Sequence, residues 1–185
     1  GIGLDAKAHE KIFSGFEISN RLINRPIGSN FLKDEEELYR VYLYGLPHAY
    51  WAIKGELQYD KFTHKSGDTT SSNPIKLVTL SAPVSIEYFH PSGLFSNLSG
   101  TFVRQDLTRG NRIFEPTQSG VDSFVSLDFS TGFRFPNRRG MLSLEGRNLL
   151  DENFYYKDNS FRNSEPAITR FIPQRTIFLK LTLNF

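Results

Sequence analysis

Apolar and polar residues alternate with period two along most of this chain, as they do in strands that present one apolar and one polar face. Over residues 51–62, Trp51, Ile53, Gly55, Leu57 and Tyr59 interleave with Ala52, Lys54, Glu56, Gln58 and Asp60. A helix would mix those two sets. Residues 80–89, 124–135 and 177–185 show the same alternation, and residues 2–8, 13–21, 38–46, 94–104 and 141–148 show it more weakly. The pattern predicts nine strands and no helix. The acidic run at 34–37 reads as a solvated loop end. Pro83 falls inside a predicted strand, where a bulge or an edge would tolerate it.

The connections alternate in length. Those at residues 9–12, 47–50, 90–93 and 136–140 are tight and carry Pro or Gly in all but the first, whereas those at 24–36, 63–74, 105–120 and 150–172 are long and polar. Short turns on one side and long loops on the other are the habit of outer-membrane barrels. The predicted fold is therefore all-β, a transmembrane antiparallel up-and-down β-barrel, with residues 1–185 forming a single barrel segment. The last strand would run towards the tight-turn, periplasmic side, and counting back puts the first residue outside. Complete bacterial barrels have even strand numbers, so the count leads to the expectation of at least one further strand before Gly1. The other reading drops residues 2–8 and closes eight strands.

Composition changes this picture little. A chain of 185 residues with net charge +2 and 38% hydrophobic residues has the averages of a soluble domain, and its mean hydropathy is −0.38. A barrel hides its membrane surface by alternation, so such averages do not exclude it. The 17 Phe and 8 Tyr suit interfacial girdles, and the absence of Cys removes disulfides and thiolate metal sites. Tyr39, Tyr42, Tyr44, Tyr50, Trp51, Phe89, Phe95 and Phe135 are expected in a belt near the tight turns. In a soluble barrel they would instead line a core or ligand cavity.

The C-terminal region carries a resemblance. The ending Lys180-Leu181-Thr182-Leu183-Asn184-Phe185 is similar to the C-terminal signal of outer-membrane barrels. It implies docking of an exposed strand on the barrel-assembly machinery by β-augmentation, through Lys180, Leu181, Leu183 and Phe185. Upstream, Asn148-Leu149-Leu150-Asp151 and Pro173-Gln174-Arg175-Thr176-Ile177-Phe178 resemble the last two strands of TonB-dependent receptors. That resemblance covers about residues 141–185 and implies a bacterial outer-membrane location, contact with outer-membrane lipid, and transport of a polar solute or nutrient. Coupling to TonB would need a segment upstream of Gly1. Similar barrels follow periplasmic helical repeats in export porins, and others serve as structural or surface-binding barrels.

Candidate chemistry is confined to the predicted interior. Lys54, Glu56, Glu87, Arg104, Asp122, Asp128, Arg134, Glu145, Arg147 and Lys180 are expected to face the lumen, with Gln58 among them. They either line a solute path and hold a plug, or neutralise one another across the wall, which is the commoner arrangement. Glu145, Arg147 and Lys180 share a parity on adjacent strands and are expected to form a local network. In the last long connection, Phe154, Tyr155, Tyr156, Arg162 and Arg170 either grip an extracellular ligand or pack on one another. No nucleophile elbow is present, and His9, His48, His64 and His90 lie at predicted turns or in a loop without ligand spacing. Neither an enzymatic activity, a metal, a cofactor nor a nucleic-acid partner is expected.

Overall fold

Period-two patterning becomes nine antiparallel strands in a single sheet of linear order. The computed structural model describes residues 1–27, 30–66, 74–109, 120–153 and 174–184. The strands are β1 (Ile2–His9), β2 (Ile12–Ile27), β3 (Asn30–His48), β4 (Trp51–Ser66), β5 (Pro74–Phe89), β6 (Leu94–Arg109), β7 (Gly120–Arg134), β8 (Gly140–Arg147) and β9 (Thr176–Leu183). One turn of 3-10 helix, Pro136–Arg138, lies between β7 and β8. Each strand pairs with the next, so the connectivity is up-and-down throughout. The sheet is open, with β1 and β9 as its edges, where a barrel was expected. Strands of alternating direction put β1 and β9 parallel to each other, so an antiparallel meander of this count has no antiparallel pairing with which to join them.

The strands β2 to β4 run much further than the apolar pattern indicated. The stretch 24–36, expected to be a long loop, is β-ladder as far as the Ile27–Asn30 pair, and His64, expected in a loop, lies in β4 opposite Asp34. Charged residues and isolated apolar ones such as Leu22 and Ile23 fall on both faces there, so no alternation marks these residues as strand. Cross-strand charge pairing holds them instead: Arg21 binds Glu36, Lys61 Nζ lies 2.6 Å from Glu37, and Lys65 Nζ lies 2.6 Å from Glu35. Pro83 needs no bulge. The β4–β5 register is the same on both sides of it, and only the pairs opposite Pro83 and Ala82 are missing from that ladder.

The two faces differ sharply. One hydrogen-bonded row crosses the sheet through Ile12, Gly45, Ile53, Ile86, Leu98, Phe129, Gly146 and Ile177, all pointing to the same side. The rows above and below it on that side add Leu4, Phe16, Val41, Leu57, Val84, Phe102, Val125, Leu144, Leu179 and Leu181. These side chains are exposed, Leu57 at 52% and Leu179 at 69%. The only buried large hydrophobics among the described residues, Leu77, Val103 and Phe124, are on the opposite face. A protein with this arrangement has its apolar surface outside its own fold.

Candidate functional site

The charged face of β2 to β9 gathers the polar chemistry. At its centre Glu56 accepts from Arg40 Nε at 2.9 Å and Nη2 at 3.0 Å, and from Tyr44 OH at 2.6 Å. A two-pronged guanidinium–carboxylate pair of this kind fixes both side chains. Arg40 also lies 3.9 Å from Glu17 and stacks over Tyr42, 5.0 Å from the ring centre, while Tyr42 and Tyr44 stack at 5.1 Å. Beside this cluster Lys54 Nζ lies 2.6 Å from Glu87, and Gln58 donates to Asp60 at 2.7 Å. Near the long-connection end, His64 Nδ1 is 2.7 Å from Asp34. Two aromatic rings on this face reach over glycines: Tyr42 over Gly15 and Phe95 over Gly132, each with atoms in the space a Cβ would take.

On β6 to β8 the face is indented. A cleft of about 220 Å³ is lined by Asn97, Ser99, Asp128, Ser130, Glu145 and Arg147, among others. Asp128 Oδ1 accepts from the Asn148 backbone N–H at 2.8 Å, and Arg147 lies 3.7 Å from Glu145 and over the Phe178 ring.

Of the residues expected to face the interior, Lys54, Glu56, Glu87, Asp122, Asp128, Arg134, Glu145, Arg147 and Lys180 all lie on this face. Arg104 does not. It pairs with Leu80 and shares the apolar side with Phe102, because two is the side-chain period and its parity is that of Leu98 and Phe102. Among the described residues Arg134 meets no carboxylate and stacks on Phe89 and Phe95. The expected three-residue network is a pair, Glu145 with Arg147, since Lys180 sits opposite Ser143. Arg40, Tyr44 and Glu17 were missed because the Arg40–Glu56 contact is diagonal and depends on register, which spacing does not reveal. In the assembly signal, Leu181 and Leu183 face the apolar side and Lys180 the polar one, while Phe185 lies outside the described residues. So do Phe154, Tyr155, Tyr156, Arg162 and Arg170.

The Asn-Leu-Leu-Asp segment has a defined job. It forms a turn, with the Asp151 N–H donating to Asn148 O at 2.9 Å, and both residues have positive φ, 48° at Asn148 and 56° at Asp151. Asn and Asp tolerate that conformation better than other side-chain-bearing residues. Asn148 is 4% exposed, its side chain exchanging two hydrogen bonds with the Glu152 backbone, and Asp151 Oδ1 accepts from the Arg175 N–H at 3.0 Å. The turn thus ties the top of β8 to the residue just before β9.

The aromatic belt expected at the tight turns divides. On the apolar side Trp51 and Tyr88 pack at 4.8 Å near the tight turns, while Tyr39 and Tyr59 pack at 5.9 Å at the other border. Tyr42, Tyr44, Phe89 and Phe95 belong to the charged face.

Comparison with protein-family models, with curated proteins and with solved structures finds no match for this chain.

Proposed function

We propose that this sheet is wall of an outer-membrane β-barrel of the TonB-dependent receptor type, its charged face lining the route of a polar solute. One observation carries the reading: the uncharged band on the apolar face runs obliquely across the strands. Below the row through Ile53 there is one further outward position in β4 (Trp51), two in β6 (Ser96, Leu94) and three in β8 (Leu144, Leu142, Gly140). Charge begins one outward position lower in β6, where Arg104 follows Phe102, than in β4, where Lys61 follows Tyr59, while β5 between them stays uncharged up to Val78. Each hairpin thus steps by two residues, roughly 7 Å of rise over roughly 9.6 Å of sheet, an inclination of about 35°. Strands in closed barrels tilt by about 35–45°. Measured across that tilt, the stretch from Trp51 to Tyr59 spans about 22 Å, close to the lipid-facing band of outer-membrane barrels. Aromatic pairs at both borders and charges beyond one of them complete the match with a bilayer.

A second reading, a barrel with a filled and purely structural interior, is favoured by the mutual neutralisation of Arg40 with Glu56, Lys54 with Glu87 and Arg147 with Glu145. One experiment separates the two. The protein refolded into phospholipid vesicles is expected to give a β-rich, heat-shifted gel band and to raise vesicle permeability to small polar solutes, with Lys54→Gln altering the preference between cations and anions. Vesicle-bound protein that leaves the vesicles sealed would leave only the structural barrel. A water-soluble monomer without detergent would remove both.

A further inference from the structure

The apolar face is indented where β3 and β4 carry Gly45 and Gly55. These glycines are diagonal neighbours, Gly45 pairing with Ile53 and Leu43 with Gly55, so two side chains are absent from adjacent rows. The result is a groove of about 470 Å³. Its inner part is made by Ile12, Leu43, Ile53 and Val84, and its rim at the tight-turn end by His9 and Lys11. Lys54 contributes only its stem, because its ammonium is held by Glu87 on the other face. Glu10 shares the turn but does not line the groove. The polarity therefore changes along one axis, from hydrocarbon to cation, as it does along a phospholipid in the opposite sense of charge.

We infer that this groove binds one anionic glycerophospholipid of the leaflet on the tight-turn side, with an acyl chain over Gly45 and Gly55 and the phosphate against Lys11. The inference rests on the membrane-wall reading. His9 stands at the same rim: its Nδ1 accepts from the Lys11 N–H at 3.4 Å, and Nε2 is the ring nitrogen left to meet a phosphate oxygen. An ordinary lipid-facing surface offers neither the recess nor the cation at its mouth. The recess is also open enough to be filled, since a Cβ placed on Gly45 or on Gly55 meets no atom within 4 Å.

The test uses Trp51, the only tryptophan of the chain, which lies on the same face two residues from Ile53. The protein is reconstituted in phosphatidylcholine vesicles containing either brominated phosphatidylglycerol or brominated phosphatidylcholine, and quenching of Trp51 is measured. The anionic lipid is expected to occupy the site about fivefold more readily than the zwitterionic one. Lys11→Gln should remove that preference while quenching by both lipids persists, and Gly45→Leu with Gly55→Leu should weaken quenching by both. Equal quenching by the two lipids, unchanged in these variants, would mean ordinary surrounding lipid and would overturn the inference with the wall reading intact. Absence of quenching by either lipid would overturn the wall reading as well.

Discussion

Asn148 combines three constraints that no other described residue meets together. It is buried, it holds positive φ, and it uses both ends of its amide on the Glu152 backbone. Asn148→Ala is expected to lower unfolding stability in detergent by about 1–3 kcal/mol, from strain and lost hydrogen bonds. Asn148→Gly should recover only the backbone part. Gly132 and Gly55 form a second contrast. A Cβ on Gly132 would strike the Phe95 ring and the Leu142 carbonyl, whereas one on Gly55 meets nothing. Gly132→Val should therefore cost about 1–3 kcal/mol in the same measurement, and Gly55→Ala should be close to neutral. The sequence pointed to the Asn-Leu-Leu-Asp segment by resemblance alone. The physical reason, a turn that needs two left-handed residues, appears only with the backbone dihedrals.

At the scale of the element, the polar extensions of β2 to β4 depend on charge rather than on apolar packing. Hydrogen bonds from Lys65 and then Asn20 hold the Glu35 carboxyl below the usual carboxylate range, and the hydrogen bond to Glu37 raises the Lys61 ammonium above the usual lysine range. Both groups lie above the uncharged band. A depressed carboxyl stabilises above its ordinary pKa and loses that contribution as the pH falls through its folded value; the raised lysine stabilises below its ordinary pKa and loses its contribution as the pH rises through its folded value. Hydrogen exchange at Glu35, Glu37, Lys61 and Lys65 should accordingly show weakened protection, relative to amides of the uncharged band such as Leu57, in strong acid and in strong base, with a plateau between. Unchanged relative protection across that range would remove the charge ladder as the source of these extensions. This is also where sequence reading stopped short. Strand cores such as 51–59 were legible because one face must be apolar, but from Asn20 to Glu37 neither face is consistently apolar, with Leu22 and Ile23 on opposite sides, and a ladder held by Arg21–Glu36 and Lys61–Glu37 has no period-two signature. Arg104 failed for a related reason: a cation at the band border was read as interior by its charge, although its parity with Phe102 puts it outside.

At the scale of the whole molecule, the proposed membrane-wall reading places the sheet in a solvent that is apolar over an inclined band and aqueous on either side of it. Leu57→Arg or Leu127→Arg, near the middle of that band, should weaken folding into lipid by about 2–4 kcal/mol, while Gln58→Arg on the charged face should change it far less. The absence of Cys permits the most direct test, a scan of single cysteines carrying nitroxide labels in vesicles, read by collision with lipid-soluble oxygen and with a water-soluble nickel chelate. Oxygen-dominated positions are expected at Ile53, Val84, Phe102, Phe129 and Leu179, chelate-dominated positions at Gln58, Ser81 and Ser130, and a lower border that descends by one outward position with each hairpin from β2 to β8. Water access on both faces, or a border level with the hydrogen-bonded rows, would contradict it.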